Sequence, residues 1–421
     1  MAAGLGIGCD NAEEFPFGEE QTFPEDSAPR YFGKLQTTSD SPTTLEDGTL
    51  VYEFDPSVPA EPLPTGSGNE ADFPDSAGRG PSCLYGAPYR VLAQRGPEDG
   101  PNNLAIQLQG GGGNCFVDDQ FPCLIGSVEA ASTWPVANDL RFTQSNEEAN
   151  PLTHDWDRIF MPNCDYSLYS SDTNAAPHQG NRPEEERYFR GVQNFTAGMQ
   201  IAKEINPNPD KVLLTGPLGG GYAAVVNTPI VAAIFPDADI YVYSEGGSLM
   251  GIFSPDDCET EDLTCVTPDG EAEVCACTSE EFLANAVDDF NANFYIPDEC
   301  EPGCLADGTL WKAAGTYVNL NNENRTLRLG VSTSIENIVI GTLFLEFGNA
   351  ELPVYGAAFL AAFNQFEEDT AASTGAGFIA NGTSSISGNE ASIGGVTLET
   401  WLQDMVSNEE SWDTVEGDLD D

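Results

Sequence analysis

Positive charge is scarce in this sequence. Fifteen Lys and Arg stand against 69 Asp and Glu, a formal net charge of −54. Only Lys34, Lys203, Lys211 and Lys312 are lysines. Such a surface repels nucleic acid and anionic membranes, so neither is expected as a partner. Two readings of the acid excess stay open: solvation of the surface in a saline habitat, and a specific cation- or polycation-binding role. The spread of the acids along the chain favours the first. Histidine is scarcer still, with only His154 and His178, and neither has ligand spacing for a metal. No run of 18 or more apolar residues occurs, which argues against a transmembrane helix. The first ten residues have no basic stretch and only a short apolar one, so they do not form a complete signal peptide. They could be read as the tail of a lipoprotein signal, with Cys9 as the lipid anchor.

What is present points to a globular, disulfide-stabilised chain. Hydrophobic residues make up 40%, which suits a packed core rather than full disorder. Length allows one large α/β domain with embellishments, or two domains. Eleven cysteines are many for a reducing compartment. Ten of them, Cys83, Cys164, Cys115, Cys123, Cys258, Cys265, Cys275, Cys277, Cys300 and Cys304, are read as up to five disulfides of a secreted protein. Their spacing does not fix the connectivity; Cys83 with Cys164 and Cys115 with Cys123 are the pairings expected first.

Texture divides the chain. Residues 1–80 are rich in Pro, Gly, Ser and acids and read as an extended N-terminal arm, with one short strand near Val51. An arm of this kind can wrap its own domain or mediate self-association. Residues 81–410 read as the main domain. Strand candidates run from Tyr89, Leu104, Ile159, Val212, Ile240 and Leu327, with helical spacing of apolar residues over 187–205, 279–294, 355–366 and 398–405. Alternating strands and helices argue for a largely parallel α/β sheet flanked by helices. Residues 254–308 form a Cys- and acid-rich insertion. Its acids Asp256, Asp257 and Glu259 could hold calcium, although no EF-hand pattern is present; a solvated loop is the preferred reading, and no cofactor is expected. Residues 411–421 read as a frayed acidic tail.

The most informative motif is Gly216-Pro217-Leu218-Gly219-Gly220. It follows the strand-like Val212-Leu213-Leu214-Thr215 and precedes a small-residue helical run. That is the strand–turn–helix setting of a G-x-S-x-G nucleophile elbow. A leucine stands where a serine would attack, and its side chain has no lone pair. A second motif, Gln109-Gly110-Gly111-Gly112-Gly113-Asn114-Cys115, follows a strand directly. Glycines there would let backbone N–H groups turn toward an oxyanion. Gly110, Gly111 and Gly112, with Gly219 of the elbow, are the candidate oxyanion-type loop.

These motifs, with Cys83-Leu84-Tyr85-Gly86, the 150–164 segment ending Met161-Pro162-Asn163-Cys164, Phe189-Arg190-Gly191 and Gly394-Gly395-Val396-Thr397-Leu398, make the chain resemble the pectin acetylesterase/Notum family of carboxylesterases. The resemblance runs in order over roughly 83–250 and 326–408. It implies an α/β-hydrolase-like fold and a Ser–Asp–His triad in that chain order. Carried over residue by residue, the triad positions are Leu218, Glu336 and Ser385. No histidine follows the elbow, so the base cannot be supplied in that order. The expectation is a pectin acetylesterase-like pseudoenzyme, secreted or at the cell surface, that binds an extracellular glycan or ester or takes part in an assembly. The rival reading is an active ester hydrolase with a non-standard nucleophile such as Ser244 or Ser248.

Overall fold

The computed structural model describes residues 31–33, 35–58, 61–63, 80–110, 142, 147–148, 150–165, 167–170, 173–175, 187–246, 264–266, 274–276, 325–335, 359–360, 363–364, 366–368, 370, 374–381, 386 and 390–420. Ten strands form one sheet: β1 (Thr43–Thr44), β2 (Leu50–Glu53), β3 (Arg90–Gln94), β4 (Asn103–Leu108), β5 (Asp157–Met161), β6 (Lys211–Pro217), β7 (Asp239–Glu245), β8 (Leu327–Ser334), β9 (Gly375–Ala380) and β10 (Val415–Gly417). Their spatial order is β10-β9-β8-β7-β6-β4-β5-β3-β2-β1. Pairing is parallel from β5 through β10 and antiparallel from β3 outward. The fold is therefore α/β, a mostly parallel mixed sheet flanked by helices. The strand order reverses direction at β4, so the chain grows from the β6 side after first building toward β5. Such a crossover leaves a crevice beyond the carboxyl ends of the central strands.

Burial on both faces explains the continuous apolar runs. Along β6, Val212 and Leu214 point into one core while Leu213 points into another. The first core packs the sheet on α1 (Gly191–Ile205), α2 (Gly219–Val226) and α3 (Thr228–Ile234). The second packs Leu213, Tyr241, Tyr243 and Phe378 on Trp401, Leu402 and Met405 of α4 (Leu398–Val406), with Trp412 beyond it. Thr397 caps α4, its hydroxyl accepting from Thr400 N at 3.1 Å.

Scarce cations are placed at helix ends. The Arg95 guanidinium donates to Ile205 O, the last carbonyl of α1. Lys203 donates to Ile234 O at 3.1 Å, and Arg325 to Ala232 O at 2.9 Å and Phe235 O at 3.2 Å, closing α3. At α4, Lys211 reaches Val406 O at 2.6 Å, and Arg328 reaches Asp404 O, Met405 O and Glu409 O at 3.0–3.2 Å. Five of the 15 Lys and Arg thus neutralise the negative ends of three helices and satisfy carbonyls that a helix leaves without partners.

Several boundaries differ from the sequence reading. Residues 187–189 belong to a short strand paired with Thr173–Ala175, and α1 starts only at Gly191. Asp165 accepts from the Arg190 amide at 2.7 Å and takes that donor out of the helix. The segment read as an arm puts β1 and β2 into the sheet, and Leu35 and Phe54 into the core. The tail is not frayed. Val415–Gly417 is the edge strand, and the Asp420 carboxylate accepts from Ser392 Oγ at 2.7 Å and Gly395 N at 2.9 Å. Strand β9 was not among the strand candidates read from the sequence. Small residues are required there: a β-carbon on Gly375 would come 2.5 Å from the Phe366 ring, and one on Gly377 2.7 Å from Phe363. Cys83 and Cys164 form a disulfide that closes 81 residues of chain. Cys115, Cys123, Cys258, Cys277, Cys300 and Cys304 lie outside the described residues, as do Cys9, the 279–294 segment and the calcium candidates Asp256, Asp257 and Glu259. Within the insertion, Thr264–Val266 pairs antiparallel with Val274–Ala276 and sets Cys265 opposite Cys275 in register. No helix among the described residues is long and apolar enough to cross a membrane.

The cap at α4 is separable from surface charge pairing. Arg328 is 6% exposed and its guanidinium lies 5.1 Å from the Trp412 ring centre. Arg328→Met keeps the stem but strands three carbonyls, so it should cost about 3 kcal/mol. Arg90 and Glu53 form an ion pair at 2.7 Å with both side chains about one third exposed. Arg90→Ala should cost no more than about 1 kcal/mol. Urea unfolding of both variants checks the difference.

Candidate active-site elbow

At the carboxyl end of β6 the chain turns from strand to helix through a single residue, Leu218, at φ 49° and ψ −115°. An L-residue rarely adopts this conformation, and it costs about 1–3 kcal/mol unless the surroundings impose it. The surroundings do impose it. A β-carbon on Gly216 would lie 2.6 Å from both Gly220 C and Leu108 O; one on Gly220 would lie 2.5 Å from Leu108 O. Strand and helix therefore cross with backbone against backbone, which only glycine permits. Leu218 N donates to Glu245 O at 2.6 Å, and Tyr222 N donates to Leu218 O at 3.1 Å. The result is the sharp elbow that presents the side chain of its apex at the head of the sheet. The Leu218 side chain is half-buried and packs on the α-side core.

The glycine loop begins beside this elbow. A β-carbon on Gly110 would stand 2.5 Å from Pro217 O, so the two turns touch. Gln109 N donates to Met161 O at 2.9 Å and to Tyr169 Oη at 3.1 Å, while Gln109 Oε1 accepts from Asn163 N at 3.1 Å. Gly219 opens α2 and is buried. Gly111 and Gly112 lie outside the described residues.

Parallel pairing carries the ends of β8 and β9 to the same sheet edge as the elbow. Glu336 follows β8 and Ser385 follows β9 in sequence; both lie outside the described residues, as do His178 and Ser248. His154 stands just before β5, at the opposite edge of the sheet, its ring nitrogen Nδ1 3.1 Å from Asn150 O. It does not serve the elbow. Ser244 is fully buried beneath α2, where a β-carbon on Gly221 would lie 2.6 Å from its Oγ. The rival nucleophile is thus packed under the helix rather than open to a substrate.

Two residues near the loop were not singled out from sequence. Asp165 is buried, its carboxylate accepting from Ser167 Oγ and from Arg190 N, both at 2.7 Å. Burial pushes its carboxyl up to about 6, against the lowering effect of those donors. Tyr169 is buried beside it, and burial also raises its phenol well above the usual value. An acid in a loop, directly after Pro162-Asn163-Cys164, carries no periodic signal, which is why pattern reading passes over it.

Comparison with known proteins agrees with this geometry. The family model for pectinacetylesterase matches residues 72–262. Pectin acetylesterase 7 from Arabidopsis thaliana is 25% identical over 177 residues, 40% of this chain and 43% of that protein. Pectin acetylesterase 11 from the same plant is 25% identical over 176 residues, with the same coverage. This chain therefore spans less than half the length of the curated relatives it matches. The solved structure of the Wnt deacylase Notum from Drosophila superposes with a TM-score of 0.54 at 15% identity, covering 80% of this chain and 93% of that one. Over residues 72–262 the chain is similar to the pectin acetylesterase family, and its fold is similar to that of Notum. In the α/β-hydrolase-like fold that this likeness shows, Leu218 stands at the elbow after β6.

Strain at the apex is measurable. At an ordinary site glycine is less stable than alanine by about 0.5–1 kcal/mol. At position 218 the order should invert, with Leu218→Gly more stable than Leu218→Ala by about 1–2 kcal/mol, because both lose the same packing and only glycine releases the backbone. Denaturant unfolding of the pair decides this; a normal order would mean the elbow is unstrained.

Asp165 sets a pH signature. Its folded value, about 6, lies above the ordinary 3.8, so folding favours the protonated form. The stability it contributes is complete below about pH 4 and lost as pH rises through 6. Relative to Asp165→Asn, the protein should lose on the order of 3 kcal/mol between pH 4 and 7. Parallel pH profiles of the two proteins would refute this.

Proposed function

We propose that this pectin acetylesterase-like protein is a pseudoenzyme: a secreted protein that holds an ester or glycan at the elbow without cleaving it, or that takes part in an extracellular assembly. The observation that carries the reading is Leu218 at the apex of a strained elbow. The geometry of a nucleophile elbow is kept in full, and the one atom that would attack is missing. Chain order adds to this, because both histidines of the sequence precede the elbow. A serine hydrolase without nucleophile and base retains only what its oxyanion donors and binding contacts supply, several orders of magnitude below the intact triad. Secretion is supported by the Cys83–Cys164 disulfide, a bond that persists in oxidising compartments. The acid excess fits solvation in a saline setting, where ions screen the self-repulsion of a net charge of −54.

An active hydrolase with another nucleophile is the alternative, and the burial of Ser244 weighs against it. The test uses the purified chain with p-nitrophenyl acetate and p-nitrophenyl butyrate, in parallel with a fluorophosphonate probe. The expected outcome is turnover no faster than buffer and no covalent labelling. Hydrolysis that the fluorophosphonate abolishes, with one serine labelled, would overturn the pseudoenzyme reading.

A further inference from the structure

The segment Ser167–Ser170 is bent at a cost. Ser170 N donates to Ser167 O at 3.0 Å, and both residues between them have positive φ, Leu168 at 53° and Tyr169 at 56°. Turns of that kind ordinarily carry Gly, Asn or Asp. A leucine and a tyrosine stay there only because the surroundings overdetermine them. The Asp165 carboxylate binds Ser167 Oγ and the Arg190 amide, tying the turn to the start of α1. Ser170 Oγ donates to Ser167 O at 2.7 Å, and Asn227 Nδ2 donates to Tyr169 O at 3.4 Å. Gly191 makes room for it, since a β-carbon there would lie 2.2 Å from Ser167 Oγ and 2.5 Å from Ser170 N.

The bend drives the Tyr169 ring into the core, where a phenylalanine would fill the same space. The hydroxyl is the part that reaches further. It donates to Met161 O at 2.5 Å, at the end of β5, and accepts from Gln109 N at 3.1 Å, one residue past the end of β4. Gln109 is followed by Gly110, whose backbone lies against Pro217 O of the elbow. A neutral phenol can donate and accept at once, and burial keeps this one neutral.

We propose that Tyr169 is a positioning residue: its turn is braced by Asp165, and its hydroxyl fixes where the chain leaves β4 at Gln109 and so holds Gly110 against the elbow. The functional meaning of this strut rests on the reading that the elbow holds a ligand, but its existence does not. The experiment is therefore made on the ligand-free chain. Hydrogen exchange is followed at residue resolution in the unsubstituted protein, in Tyr169→Phe and in Leu168→Gly. Tyr169→Phe should speed exchange of the Gln109 amide about fivefold, the worth of one ordinary hydrogen bond, since Met161 O remains as a second acceptor. Amides inside α1 and β6 should stay within about twofold. Leu168→Gly relaxes the turn and keeps the phenol, so Gln109 should remain as protected as before. An unchanged Gln109 rate in Tyr169→Phe, or equal acceleration throughout the core, would overturn the proposal. So would loss of Gln109 protection in Leu168→Gly, which would assign the effect to the turn backbone. Because no ligand enters the measurement, failure of the pseudoenzyme reading in the esterase assay leaves this result standing, and the reverse also holds.

Discussion

The head of the sheet depends on one close approach. Where β6 gives way to α2, the backbones at Gly216, Gly220 and Leu108 O come so near that a single added methyl group would collide. Everything that resembles an active site follows from that contact. It forces the one-residue reversal at Leu218, brings Gly110 against Pro217, and starts α2 with its first amides at the carboxyl edge of the sheet. A hydrolase uses such an arrangement to lift its nucleophile toward substrate. Here the arrangement persists with a hydrocarbon at the apex, half-buried against the α-side core. Burial of that side chain offsets part of the strain, of the order of 1–3 kcal/mol, that its backbone stores.

A second constraint is electrostatic. In a chain so rich in carboxylates, each helix end that needs positive charge competes for few donors. The described structure places them where one cation does several jobs. Arg328 joins β8 to the end of α4 and stacks on Trp412; Lys211 joins β6 to the same end and lies 5.7 Å from the Tyr241 ring centre. Lys203 closes α3 from α1 and lies 5.1 Å from the Phe235 ring centre. These cations have carbonyl rather than carboxylate partners, and carbonyls at helix ends cannot be left dry. Burial lowers the proton affinity of both Arg328 and Lys203, while nearby acids raise it again. Nearby carboxylates, Asp237 for Lys203 and Glu409, Asp239 and Asp404 for Arg328, thus help to hold the charge of cations that fasten helix to sheet.

What was legible in the sequence was the part with strong periodicity. The central strands run through apolar residues buried on both faces, and 187–205 and 398–405 carry helical spacing, so fold class and elbow could be read directly. The departures have physical causes. Strand β9 is built from small residues because Phe363 and Phe366 press on it. The tail is dominated by acids, yet its backbone pairs with β9 and its carboxylates meet hydroxyl and amide donors. The turn at Leu168 and Tyr169 was invisible, since its residues are the opposite of those that favour positive φ. Composition signals a strained turn only when the strain has been relieved by glycine or asparagine.

Of the described non-glycine residues with positive φ, Leu168, Tyr169 and Leu218 sit within the elbow and its bracing, and Asn408 is the fourth. Asparagine tolerates that region and needs no special account. The other three are large side chains that a relaxed loop would not select, and each is held by contacts reaching to a different element: Glu245 O on β7 for Leu218, Asp165 and Gly191 for the turn, Met161 and Gln109 for the phenol. Strain distributed in this way resists drift, because relaxing one residue leaves its neighbours braced by the others. Shape at the head of the sheet is thus held by bracing from several elements at once, with a leucine at the apex of the elbow.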